Sequence, residues 1–350
     1  MIKSNKFSQI RENHPHIVTM SVFLSGFLLD IFTIGRIDDY LNFLAHFIYL
    51  ILLIFLFTRL NKTFENPRLS LINKHSLDIF HFLSGGLLSA FTIFFILSSS
   101  IAQSSIFILF ILFLMVMNES EYFQKGNDWI KLFLVQFCLS SFMIIYVPVI
   151  MGLTGTIVFL IATIFGAVIL PLLLKKLKNN SYNHSIVCSA FVTFVFIIMY
   201  IFNFIPPVPL SVKEIGVYHD VKKINNEYHL YKEVSRLKFW SQGDQDFVAQ
   251  QGDKVYVFAR IFAPKRFEEK VYIQWEVWQD DWKVSDRIPL KVTGGNDWGY
   301  RAYTFKKNYT EGTWRARIVT ENEKEIGRVN FQITKEIKKE EREWQIDVKK

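Results

Sequence analysis

Cysteine is scarce in this sequence: there are two in 350 residues, Cys138 and Cys188, both inside apolar runs. Everything after residue 188 therefore lacks a disulfide framework and a thiolate zinc site. A concentrated basic patch is also missing. The net charge of +8 divides evenly, +4 before Pro206 (13 basic, 9 acidic) and +4 after it (27 basic, 23 acidic). With neither half carrying a strong basic excess, nucleic acid is not an expected partner. Missing too are a GxSxG elbow, a P-loop, an HExxH zinc motif and a Gly-rich dinucleotide fingerprint. Their absence removes the motif-level arguments for a hydrolase, a nucleotide enzyme or a zinc protease. No cofactor is expected, and a non-enzymatic role is favoured over an enzymatic one.

Phenylalanine is abundant, with 35 residues concentrated in the first two hundred. Apolar stretches near the roughly twenty residues that cross a bilayer occur at 17–35, 40–58, 77–97, 101–118, 129–149, 154–174 and 186–204. They predict an α-helical transmembrane bundle of seven spans over 1–205. The first stretch follows Lys3, Lys6 and Arg11 like a signal peptide, but it carries Asp30 and lacks a small-residue cleavage pattern. With the N-terminus in the cytoplasm, twelve lysines and arginines between Lys3 and Lys178 fall in inner segments. The short outer loops then hold only Arg36, and the loops 98–105 and 152–155 are uncharged. The expected location is the inner membrane, in contact with membrane lipids, and everything after Pro206 is expected outside the cytoplasm.

Ionisable residues inside spans are costly and so are candidates for structure or function. Asp30, Arg36, Asp38 and His46 form one such group near the outer surface, and an Asp30–Arg36 ion pair locking the first hairpin is the favoured reading. A transporter or channel using Asp30, Arg36 and His46 is one alternative. An enzyme on a lipid-linked substrate, with Asp30, Asp38 and Asp39 as acid or base, is another. At the cytoplasmic face, His75, Asp78, His81 and Glu119 cluster at helix ends. Three-residue steps spread the first three over about 120° of helix surface, so solvated helix ends are expected there and no metal.

From Val217 the pattern becomes short β-branched and aromatic runs separated by turn residues. It predicts strands at 217–223, 227–232, 246–250, 254–262, 270–278, 287–293, 300–306, 313–320 and 326–334 in an all-β, immunoglobulin-like sandwich over 206–335. Asn225-Asn226 marks a hairpin. In 254–262, Val255, Val257 and Ala259 share one face and Tyr256, Phe258 and Arg260 the other, so both faces are expected to be covered. His219 and His229 meet across that hairpin only in an irregular register, which disfavours a metal site. Arg287, Trp298, Tyr300, Arg301, Tyr303 and Lys306 form a candidate binding surface, with core packing as the competing expectation for the aromatics. The mixed-charge tail 336–350 is expected to be a frayed helix or disordered.

Specific phrases also accumulate. They include Arg287-Ile288-Pro289, Gly294-Gly295, Gly299-Tyr300-Arg301-Ala302-Tyr303-Thr304, Gly312-Thr313-Trp314-Arg315 and Ile326-Gly327-Arg328. Nearer the N-terminus stand Gly35-Arg36-Ile37-Asp38, His81-Phe82 with Gly85, and Pro206-Pro207-Val208-Pro209-Leu210. In these the chain resembles the bacterial membrane proteins that end in domain of unknown function 2914. The resemblance implies a multi-helix membrane region and a β-rich C-terminal module, and it brings no catalytic residues. The expected role is a periplasmic binding module for an envelope protein or glycan.

Overall fold

The computed structural model describes residues 15–60, 70–124, 126–233, 243–265, 267–295, 298–335 and 342–349. It divides into two units. One comprises residues 1–95, 105–147 and 159–204, and the other 96–104, 148–158 and 205–350.

Seven long helices run through the first two hundred residues: α1 (Pro15–Thr33), α2 (Tyr40–Arg59), α3 (Ser70–Leu97), α4 (Ile101–Asn118), α5 (Asp128–Met151), α6 (Thr156–Lys176) and α7 (Tyr182–Ile201). Local signals set their ends. The Asp39 carboxylate caps α2 by accepting from the Leu41 amide at 3.0 Å. Lys175 and Lys176 in the last turn of α6 complement its negative end.

Five helical segments are long and apolar enough to cross a membrane: α2, His75–Leu97 of α3, α5, α6 and α7. Of α1 and α4, the apolar segments Leu24–Thr33 and Ala102–Asn118 are shorter among the described residues, so the seven expected spans stand as five candidates.

Phenylalanines fill the interior of the helical unit. Phe95 meets Phe107 edge-on at 4.8 Å, and Phe137 stacks on Phe196 at 5.3 Å. Leucine, isoleucine and phenylalanine also cover the outside, as at Leu29, Phe82, Leu109 and Ile157. A helix apolar on every side suits a hydrocarbon solvent. One buried polar knot joins three helices. Gln136 donates to Ser140 Oγ at 3.0 Å and to the Gly166 carbonyl at 2.9 Å, and accepts from Ser189 Oγ at 2.7 Å. Gly166 permits this approach, since a Cβ there would lie 3.1 Å from the Ser140 Cα.

Among the described residues the β-rich unit holds eleven strands: β1 (Ser211–Tyr218), β2 (Asp220–Ile224), β3 (Glu227–Glu233), β4 (Asp246–Ala249), β5 (Val255–Phe262), β6 (Glu268–Gln279), β7 (Asp281–Thr293), β8 (Tyr300–Lys306), β9 (Gly312–Thr320), β10 (Glu325–Lys335) and β11 (Trp344–Lys349). They form three sheets, ordered β1-β5-β8, β4-β10-β9-β6-β7 and β11-β3-β2. All pairings are antiparallel except β4 with β10. The expected strand at 217–223 is two strands in different sheets, separated at His219. The expected hairpin stands, with Asn225 and Asn226 both at positive φ. Of the tail, 336–341 lies outside the described residues. Trp344–Lys349 is neither helix nor disordered; it pairs with β3, whose open edge supplies the hydrogen-bond partners that its mixed-charge sequence does not advertise.

The sheets β1-β5-β8 and β4-β10-β9-β6-β7 close over one core, with Val255, Val257, Ala259 and Ile261 of β5 packed among Trp275, Trp314, Ile318 and Phe331. Trp275, fully buried, donates its indole N–H to Thr304 Oγ1 at 3.1 Å, tying β6 to β8. The opposite face of β5 contributes Phe258 to a second, smaller core with Tyr218, Val221, Tyr228 and Leu230.

On the outer face of the five-stranded sheet, arginines wrap two buried carboxylates. Arg315 and Arg317 bond Glu276, while Arg317 and Arg328 bond Glu325, both of the latter pairs at 2.6 Å. Burial raises both carboxyl pKa values, but the arginine hydrogen bonds outweigh it and hold each below the ordinary glutamate value.

Backbone crowding generates a test. A Cβ on Gly294 would sit 1.7 Å from the Pro264 carbonyl oxygen, whereas Gly295, at φ +95°, has nothing nearer than 3.7 Å. We expect Gly294→Ala to destabilise the β-domain by more than about 3 kcal/mol and Gly295→Ala by about 1–2 kcal/mol. Thermal unfolding of the purified chain, followed by β-sheet circular dichroism, checks the order.

Candidate functional site

His219 sits where the chain leaves β1 and enters β2. Its own N–H donates to the Tyr231 carbonyl at 2.9 Å, and its ring stacks on Phe247 at 4.0 Å. Four charged residues converge on this buried ring. Nε2 lies 3.6 Å from Glu233 Oε1 and 3.5 Å from Asp244 Oδ2, while Nδ1 lies 3.9 Å from Asp253 Oδ2 and 3.4 Å from Arg342 Nη1.

Arg342 is the clamp of the cluster. Its Nε pairs with Glu233 at 2.8 Å, and its Nη2 pairs with Asp253 at 2.8 Å and donates to the Val248 carbonyl at 2.7 Å. Arginine can only donate, so His219 Nδ1 accepts, and the neutral ring carries its proton on Nε2, toward Glu233 and Asp244. Asp244 in turn accepts from the Glu233 amide at 2.9 Å.

Burial, and then the Arg342 charge, lower the His219 pKa from 6.5 to about 4. Burial pushes Asp244 up from 3.8 to about 7, against the pull of the amide that it accepts. The pair therefore stays uncharged or singly charged near neutral pH. Outside it lies an open cleft of about 510 Å³, lined by Asp220, Lys222, Tyr231, Lys254, Tyr256 and Trp344 among others.

Tyr256 leads from this cleft onto a strip of aromatic side chains on the same face of β5 and β8. Tyr256 lies 6.2 Å from Tyr303 and 5.6 Å from Phe305, and Tyr303 lies 6.2 Å from Tyr228. Tyr303 is 40% exposed and Phe305 47%. Cations rest on these rings: Arg301 on Tyr228 at 5.2 Å, Lys223 on Tyr228 at 5.7 Å, Lys254 on Phe305 at 5.1 Å and Lys307 on Phe305 at 6.0 Å.

The structure divides the expected binding surface. Arg301 and Tyr303 belong to the strip, and Arg301 also donates to the Asn226 carbonyl at 3.2 Å. Lys306, one residue out of step, reaches Ser285 and Asp286 instead. Arg287 lies over Tyr272 at 4.1 Å and pairs with Glu323 at 2.9 Å. Tyr300 packs on the main core, and Trp298 is exposed. His229 stands opposite Lys222, away from His219, and no metal-binding group occurs among the described residues.

In the helical unit the expected Asp30–Arg36 pair gives way to two other contacts. Arg36 forks onto Asp38, Nε to Oδ1 at 2.9 Å and Nη2 to Oδ2 at 2.7 Å, and Asp30 accepts from Ser89 of α3. Arg36 lies beyond the end of α1, and Asp38, two residues away, offers it a two-pronged fit, while Asp30 inside the helix is taken by Ser89. His46 is buried against the Tyr146 hydroxyl at 2.7 Å.

The other group also divides. His75 and Asp78 form an exposed pair at 3.1 Å, whereas His81 is buried, its Nδ1 2.9 Å from Asn118 Oδ1. Asn118 also reaches Glu119 at 3.4 Å, and a Cβ on Gly85 would stand 3.1 Å from Asn118 Nδ2. His81 is therefore no solvated helix end. Close packing of α3 on α4 at Gly85 brings it to Asn118.

Residues 268–333 match the family described as Protein of unknown function (DUF2914). The matched stretch runs from the start of β6 into β10, and the C-terminal part of the chain carries this domain of unknown function. A comparison with curated proteins gives no match. Among solved structures the chain is similar to an immunoglobulin-like protein from Pseudomonas aeruginosa, at 10% identity, covering 36% of this chain and 98% of that one with a TM-score of 0.22.

The His219–Asp244 pair has a pH signature. His219, lowered to about 4, favours the fold above pH 6.5, and that stability is lost as pH falls from 6.5 to 4. Asp244, raised to about 7, favours the fold below pH 3.8, and that stability is lost as pH rises from 3.8 to 7. Measured as a difference from the parent, Asp244→Asn should gain stability as pH rises from 4 to 7. His219→Gln should gain as pH falls from 6.5 to 4. Each gain approaches about 3 kcal/mol across its window, read from unfolding curves at stepped pH; flat difference curves would remove the coupling.

Proposed function

We propose that this chain is a non-catalytic bacterial inner-membrane protein that presents its β-domain in the periplasm as a binding module for an envelope protein or glycan. The exposed Tyr303 and Phe305, on the strip that leads through Tyr256 to the cleft beside His219, carry this reading. Exposed aromatic faces bordered by polar groups are costly to keep in water and mark contact surfaces.

Other observations support parts of the proposal. Segments 96–104 and 148–158, which contain the uncharged turns, belong to the same unit as residues 205–350. That grouping, with the bias of lysine and arginine toward the other loops, favours a domain outside the cytoplasm. Around His219 the carboxylates are engaged by Arg342 and by a backbone amide, and the described lining residues include no serine, threonine or cysteine. The described lining thus offers no hydroxyl of serine or threonine and no thiol for a His-activated nucleophile. In the helical unit, Asp30, Arg36 and His46 each hold a partner within the protein, which fits a structural use of these groups.

Two measurements test the proposal. Purified chain in lipid nanodiscs is expected to retain a component of a bacterial envelope fraction, and Tyr303→Ala/Phe305→Ala to weaken that retention about tenfold, as loss of an aromatic anchor pair would. Undiminished retention by a folded double variant would sink the strip as the binding surface. For location, Cys138 and Cys188 are buried, so a cysteine placed at exposed Glu321 can be labelled selectively. We expect a membrane-impermeant maleimide to label it in intact spheroplasts; labelling only after lysis would put the domain in the cytoplasm.

A further inference from the structure

We infer that β11 is a self-pairing edge: two copies of this chain join antiparallel along it, Ile346 opposite Ile346 of the partner copy, into one sheet ordered β2-β3-β11-β11-β3-β2. The inference stands apart from the binding-module reading.

Exposure is the first argument. β11 pairs with β3 on one side and ends its sheet on the other. Trp344, Ile346 and Val348 alternate with polar residues and are 44%, 46% and 48% exposed. Alternate residues share a face, so three half-exposed apolar side chains stand in a row beside an open line of backbone donors and acceptors. The opposite face is already engaged, Asp347 by Lys232 and Lys349 by Glu214.

Other strands that end the three sheets are blunted. β7 carries Pro289, which has no N–H to offer, and bulges at Ser285. β4 has four residues, and β2 presents Lys222 and Lys223 side by side. Gly243 bridges β1 at Val217, and Lys306 ties β8 to Ser285 and Asp286 of β7. β11 has neither proline nor bulge.

Register is the second argument. A two-fold axis through a continuous antiparallel sheet keeps each face on its own side, so one residue must stand opposite its own copy. Centred on Ile346, the pairing sets Trp344 opposite Val348, Gln345 opposite Asp347 and the exposed Glu343 opposite Lys349. Apolar groups meet on one face, and a carboxylate meets an ammonium group on the other. Centred on Gln345 instead, it sets Glu343 against Asp347; centred on Asp347, that carboxylate meets its own copy. Like charges directly opposite are destabilising. Centres at Trp344 or Val348 use three strand positions or fewer. Self-complementarity therefore selects one register. Trp344 lines the cleft beside His219, so Val348 of the partner copy comes to lie against that wall.

The test uses the full chain in detergent. One edge buries less than a standard interface, so the expected Kd is on the order of 1–100 µM, read by light scattering across that range. Ile346→Lys, at an exposed position, should keep the fold, checked by its unfolding curve, and weaken the dimer about tenfold or more by setting a charge against its own copy. Directly opposed residues have Cα atoms about 4.5–5.5 Å apart, within reach of a disulfide. With Cys138 and Cys188 buried, Ile346→Cys should cross-link under mild oxidation. Gln345→Cys and Asp347→Cys, each more than about 7 Å from its own copy, should cross-link about tenfold more slowly alone and readily when mixed.

A chain that stays monomeric across the range would overturn the inference and leave the edge to a strand of another protein. A dimer that Ile346→Lys leaves intact would overturn it by moving the seam elsewhere. Equal cross-linking rates for the three cysteine variants would also overturn it, as the mark of random collision.

Discussion

Strand β5 is buried on both faces, and the rest of the β-domain follows from that. A strand with one wet face supports a single core. Here Val255, Val257, Ala259 and Ile261 build the main sandwich while Phe258, one residue out of phase, demands a second cover. The small sheet β11-β3-β2 supplies it through Tyr228, Leu230 and Val221. To reach that sheet the chain must leave β1 at Tyr218, and the residue at the crossing is His219. The cleft is thus a by-product of covering both sides of one strand.

The alternation in 254–262 announced this arrangement, and Asn225-Asn226 announced the hairpin, because both signals are local and periodic. The cluster around His219 was not legible. Its closest partners come from β3, from the approaches to β4 and β5, and from Arg342, 123 residues away. Nothing in the spacing of Glu233, Asp244, Asp253 and Arg342 brings them together; only the order of strands does. His81 was obscured for the same reason, since its partner Asn118 is 37 residues distant on another helix. The aromatic strip was half visible: Tyr303 and Arg301 stood out, while Tyr256 and Phe305 were read as parts of strands with no sign of which face would stay open.

Two treatments of charge coexist in the domain. On the outer face of the five-stranded sheet, carboxylates are buried and then saturated by arginine forks, an arrangement costly to disturb because removing one partner strands the other. On the strip, lysines lie on rings and keep their charge available. The first treatment fixes structure and the second leaves it adaptable, which is the division expected between a scaffold and a contact surface.

Strand β11 makes the last point. It exposes Trp344, Ile346 and Val348 and buries no side chain of its own, so its place depends on its backbone pairing with β3, on the ion pairs Lys232–Asp347 and Lys349–Glu214, and on the contacts of Trp344 with His219 and Arg342. Such a segment opens locally at much lower free energy than the cores beneath it. Its amide protons should exchange with solvent well before those of β5. The wall of the cleft that carries Trp344 is therefore held less firmly than its floor, which belongs to the sandwich.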